Sequence, residues 1–113
     1  MIPKVGLNQF ASACADKIDT GIAGTGTTAP ALTDTALETP VVATEVTAIT
    51  TLGVSSFQVN HTILSTVAAP NSFTEWGILT SADVLLSRAV TAPVSHTSND
   101  EITKLTTFNL VNK

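Results

Sequence analysis

The chain has 113 residues, of which 43% are hydrophobic and 12% charged, with a formal net charge of −4. That length sets one domain, 1–113, with room for a single core. The five Lys and Arg are scattered singly, which excludes a basic nucleic-acid footprint, and the apolar runs are too short for a membrane-spanning helix.

The elements follow in chain order. Residues 5–18, VGLNQFASACADKI, place Leu7, Phe10, Ala11, Cys14 and Ile18 on one stripe, which predicts a helix. Pro3 stands just ahead, where a helix start tolerates it. Residues 20–26 read as a short strand. Residues 41–50, VVATEVTAIT, alternate as a strand, and Gly53 marks a turn. In residues 55–66, Phe57, Val59, His61 and Ile63 face one way and Gln58, Asn60 and Thr62 the other. Pro70 and Asn71 break that strand. Residues 73–79, FTEWGIL, form the next, with Phe73 and Trp76 expected on opposite faces. A tight turn at 81–83 leads to a strand over 84–90, which Pro93 is expected to end. Residues 95–100 form a loop, and 101–111 close the chain as a strand. One helix and six strands with short connections predict a mainly β fold, a small antiparallel β-sandwich or curled sheet with the helix over one end.

Twenty threonines reinforce that reading, because a branched Cβ suits a pleated surface. The charged share is about half that of an ordinary soluble domain. Too little polar surface remains for a comfortable monomer, so much of it is expected to face another protein.

Catalytic chemistry is hard to find. His61 shares a face with Phe57, Val59 and Ile63, which reads as a packed histidine, and the Ser95-His96 neighbours make no triad. The nine carboxylates are dispersed, with no calcium loop and no zinc-binding helix motif. Gly21, Gly24 and Gly26 are not followed by Lys-Ser or Lys-Thr, so they read as turn residues and not as a phosphate loop. The Asn60-His61-Thr62 sequon lies mid-strand. Cys14 is alone, which excludes an internal disulfide, and the opening MIPKVGLNQF lacks a signal-peptide core. No catalytic residue, cofactor or metal is expected.

Residues 24–37, GTGTTAPALTDTAL, are the most distinctive stretch. Gly24 and Gly26 allow backbone angles closed to other residues, Pro30 fixes φ, and Thr33, Asp34 and Thr35 can bond their own backbone. A shaped loop is expected, ordered in the assembled state against a neighbouring subunit. Glu75 and Arg88 lie in consecutive strands and could pair across them.

This loop, together with the Glu75-Trp76-Gly77-Ile78-Leu79 strand and the following Leu85-Leu86-Ser87-Arg88-Ala89-Val90 strand, resembles the tail-collar-fibre type of tailed-bacteriophage virion protein. The likeness follows element order over nearly the whole chain. It implies a virion accessory structural protein that decorates or cements the capsid, or seats an appendage on it. A baseplate or tail-tip adaptor that anchors a tail fibre is the alternative. A carbohydrate-binding β-sandwich module is a third reading, set against one Trp, four Phe and no Tyr. The resemblance implies other virion proteins as partners, either major capsid or tail components, a homotrimer or other homo-oligomer, and no nucleic acid or membrane. It also implies location in the virion after synthesis in the host cytoplasm. The chain departs from the pattern twice. It stops at Lys113, where a fibre would continue into a shaft, and it carries Trp76 where a smaller aliphatic is expected. The candidate interface or structural residues are Gly24, Gly26, Pro30, Asp34, Leu37, Glu75, Trp76, Gly77 and Arg88.

Overall fold

A computed structural model of the chain describes residues 1–53, 55–66, 72–97 and 100–110. The expected break at Pro70 and Asn71 and the last residue of the expected final strand, Val111, lie outside them. Helix α1 (Lys4–Lys17) runs directly into β1 (Ile18–Gly24), followed by β2 (Pro40–Gly53), β3 (Ser56–Ile63), β4 (Ser72–Thr80), β5 (Leu85–Ser95) and β6 (Ile102–Asn109). Neighbouring strands run in the order β5-β4-β1-β2-β3-β6, every pair antiparallel. The sheet curls into a half-barrel, the second of the two expected forms.

The curl closes one core around two apolar clusters. In the first, Ala11 of α1 meets Phe57, Val59 and Ile78, with Cys14, Ala15, Phe108 and Leu110 packed around them. Phe57 and Phe108 stack there with centroids 5.0 Å apart. The second joins Ala23, Ile63, Phe73 and Trp76, with Val94 of β5 and Ile102 of β6 against it. Both outer strands thus reach the same cluster although they lie at opposite ends of the strand order. His96, just past β5, bonds the Leu64 carbonyl just past β3 at 3.2 Å and ties the two halves together.

Several expectations need correction. Phe10 is exposed: the helix buries only Ala11 and half-buries Leu7, Cys14 and Ala15, a narrower stripe than the spacing implied. Pro93 does not end β5, which continues to Ser95. β5 is an edge strand, where a missing N–H on the outer side breaks no ladder bond. Phe73 and Trp76 do not face opposite ways. The β4–β5 ladder shifts register between Phe73 and Glu75, and both rings enter one cluster with centroids 6.1 Å apart. The extra residues of that shift lie on β5, and β4 itself fails to alternate between Thr74 and Glu75, neighbours that both bond Gly26.

Candidate functional site

The segment between β1 and β2 folds back over the β4–β5 ladder, and what holds it is charge. Along β4, Trp76 and Ile78 enter the core, so Glu75 and Gly77 point to the opposite face. Glu75 is fully buried there, beneath the returning loop. Its Oε1 accepts from the backbone N–H of Gly26 at 3.1 Å and of Thr39 at 2.6 Å, and its Oε2 accepts from the N–H of Glu38 at 3.0 Å. Arg88, on neighbouring β5, donates Nε to Oε2 at 3.1 Å. The same guanidinium reaches the loop, with Nη1 on Asp34 Oδ2 at 3.1 Å and Nη2 on the Thr28 carbonyl at 2.9 Å. Asp34 in turn accepts from the Ala31 N–H at 2.8 Å.

A carboxylate and a guanidinium from the sheet therefore hold both ends and the middle of the loop. A second carboxylate acts within it. Glu38 accepts from the N–H groups of Thr27 and Thr28 and from the Thr28 hydroxyl. Thr74 of β4 donates its hydroxyl to the Gly26 carbonyl at 2.7 Å. Backbone groups that an apolar-poor loop would leave to water are satisfied by side chains instead.

The glycines serve close approach. No glycine among the described residues takes positive φ, which corrects the expectation that Gly24 and Gly26 serve backbone freedom. A Cβ on Gly26 would lie 2.7 Å from the Glu75 carboxyl carbon, and one on Gly24 would lie 2.2 Å from the Thr39 carbonyl oxygen. Gly77 has the same role on β4. Its missing side chain admits Leu37, whose Cδ1 would lie 2.6 Å from a Cβ there. Leu37 is the buried apolar anchor of the loop. The space at Gly77 is thus filled by Leu37. Trp76 lies in the core, 3% exposed, with its Nε1 donating to Thr91 Oγ1 at 3.1 Å.

The electrostatics fit a strut. Burial alone would raise the Glu75 carboxyl, but the Thr39 and Glu38 amides, the Arg88 guanidinium and the Gly26 amide outweigh it and hold it below the ordinary carboxylate range. Burial likewise opposes the charge on Arg88, yet Glu75 and Asp34 hold it more firmly protonated than usual. Both Glu75 oxygens are occupied by donors, so neither is presented as a base. Arg88 supplies the positive charge between the two carboxylates, where a cation would otherwise be needed. Among the described residues no group of His, Cys, Asp and Glu is arranged to hold a metal.

No family model matches the chain, and no curated protein matches its sequence.

Of the candidate residues, the structure brings Gly24, Gly26, Asp34, Leu37, Glu75, Gly77 and Arg88 together in this one assembly. Trp76 lies on the opposite face, and Pro30 stays exposed, lining a cleft of about 440 Å³ with Leu32, Leu85 and Leu86. Sequence reasoning missed Glu38, Thr28 and Thr74. Glu38 and Thr74 flank singled-out motifs and Thr28 lies within one, and only the folded register shows what each faces. The inner side of the loop contacts its own β4 and β5.

His61 is the second unusual group. It is buried, its Nδ1 is hydrogen-bonded to Thr44 Oγ1 at 2.7 Å, and its Nε2 is buried without a partner among the described residues. Its ring lies over Gly21, where a Cβ would sit 2.3 Å from Nδ1, and edge-on to Trp76 at 6.4 Å. Burial, with the nearby Lys104 charge second, pushes the imidazole down from 6.5 to about 4. The folded state therefore holds His61 neutral, while the unfolded chain takes up a proton as pH falls below 6.5. His61 should contribute full stability above that value and lose it between 6.5 and about 4. Urea melts across this window should show a fall on the order of 2–3 kcal/mol, and His61→Gln should flatten it. A wild-type profile flat between pH 6.5 and 4 would remove this reading of His61.

Proposed function

We propose that the protein is an accessory structural protein of a tailed-phage virion, without catalytic activity. In this reading it decorates or cements the capsid, or seats an appendage on it, and the loop between β1 and β2 is the shape it presents. The observation that carries the reading is the buried Glu75–Arg88–Asp34 network, which spends three charged side chains on holding one loop rigid. A buried ion pair is a poor source of stability and a good source of a single defined conformation. The outer side of the loop is uncharged from Thr27 to Thr33 and mixes exposed threonines with a fully exposed Leu32, and Val84, just before β5, is exposed as well. A firmly held, weakly charged surface with an exposed aliphatic side chain suits permanent attachment to another protein.

The placement of the aromatics favours this reading over a carbohydrate-binding module. Phe57, Phe73 and Trp76 are buried and Phe108 is stacked on Phe57, which leaves Phe10 of α1 as the single exposed ring, without a second aromatic beside it to form a platform for a sugar. Partners in this reading are major capsid or tail components and further copies of the chain.

The test is location. Tailed particles from cells that carry this gene are separated into heads and tails on a density gradient, and each fraction is assayed for the chain by quantitative peptide mass spectrometry. Stoichiometric chain in the heads supports decoration, and in the tails the adaptor form. Absence from both contradicts the proposal.

A further inference from the structure

We propose that β6 is a pairing edge that takes β6 of a second copy, antiparallel, with Leu105 of the two copies opposite each other across a two-fold axis. This rests on the self-association in the preceding proposal and narrows it to one contact.

The two outer strands are built differently. β5 is unsuited to extension: it carries Pro93, and its ladder to β4 shifts register twice, between Phe73 and Glu75 and between Ile78 and Leu79. Prolines and bulges are the devices by which proteins protect a sheet edge. β6 has neither. Its eight residues, ITKLTTFN, pair with β3 in unbroken register from Ile102 to Asn109. Among the described residues, no hydrogen bond reaches the backbone on its other side. A straight row of free N–H and C=O groups is complemented by one kind of partner, an extended strand.

The strand also complements itself. Side chains of an antiparallel pair share a face only when the paired positions have equal parity, so a two-fold axis must pass through a residue. With the axis at Leu105, Thr103 meets Thr107, Lys104 meets Thr106, and Ile102 meets Phe108. Ile102, Lys104, Thr106 and Phe108 are half-buried, and Thr103, Leu105 and Thr107 are exposed, so each pair joins like environments. The register covers Leu105, which is otherwise 51% exposed. Lys104 is the one charge on β6. An axis at Lys104 would set it against its own copy, whereas an axis at Leu105 sets it against Thr106. Like charges directly opposed are destabilising in a sheet, so the strand selects the second register.

Sedimentation equilibrium and disulfide trapping test this on the full chain. Wild type should be dimeric at concentrations on the order of tens of micromolar. Leu105→Lys, a change at an exposed site that sets two ammonium groups face to face, should give monomer with an unchanged circular dichroism spectrum and melt. In a Cys14→Ser background, Leu105→Cys should crosslink to dimer under mild oxidation, because the paired Cα atoms are within disulfide reach, and Thr103→Cys should not. A monomeric wild type overturns both this inference and the self-association on which it rests. A wild-type oligomer that Leu105→Lys leaves intact, or one in which Thr103→Cys crosslinks as readily as Leu105→Cys, overturns the β6 contact alone. If Leu105→Lys fails to fold, the crosslinking pair decides.

Discussion

Arg88→Met should destabilise the protein by about 3 kcal/mol, the low end of what breaking a buried ion pair costs, because the network lies only one loop's thickness below the surface. The mechanism is the charge left behind. Arg88 is 4% exposed at its side chain and Glu75 0%, so removing the guanidinium strands a carboxylate that cannot turn to water. It also frees Asp34 and the Thr28 carbonyl, the two points where the middle of the loop is held. A thermal melt should show the midpoint lowered by roughly 10–15 °C. Arg88→Lys should recover only part of the loss, since an ammonium cannot span Glu75, Asp34 and Thr28 from one planar group. A midpoint within a degree or two of wild type would mean that the ion pair is not buried. The loss in Arg88→Met should shrink in acid, because protonation removes the charge that the variant strands while wild type loses the benefit of its ion pair. The Glu75 carboxyl is held below its ordinary value, so its contribution is present above that value and is lost as pH falls through the folded one.

The second large effect is expected at Trp76. Trp76→Ala should cost about 3–5 kcal/mol, through lost burial and the cavity left among Ala23, Ile63 and Phe73. The edge-on contact with His61 and the hydrogen bond to Thr91 disappear with it. Trp76→Phe keeps most of the volume and should cost less than half as much. Chemical denaturation with unchanged slope measures the difference, and an unaltered midpoint for Trp76→Ala would contradict its placement in the core.

Much of this architecture is legible in the residues. The alternation of Phe57, Val59, His61 and Ile63 places four buried side chains correctly, because β3 pairs on both sides over most of its length and its pleat stays regular. The pairing of Glu75 with Arg88 is also readable, since they lie in consecutive strands joined by a short turn. Their burial is not readable. It depends on a loop that starts some fifty residues earlier in the chain folding over them, a contact that local pattern does not encode. The glycine motif shows the same division. Spacing marks Gly24 and Gly26 as special, but the reason for them, the approach of a carboxylate from β4, exists only in the fold. Phe73 was misplaced for a different reason. A strand read by parity assumes an unbroken pleat, and in β4 the adjacent Thr74 and Glu75 turn to the same partner, Gly26, which breaks it.

The central claim is that Glu75 and Arg88 hold the loop between β1 and β2 in one shape against the sheet. Amide hydrogen exchange at Gly26, Glu38 and Thr39, the three N–H groups bonded to Glu75, tests it most directly. In wild type these three amides should exchange as slowly as those of the paired residues of β1 and β4, and in Arg88→Met they should lose protection before the strands do. Exchange at all three as fast as in an unstructured peptide, in wild type at neutral pH, would contradict the account.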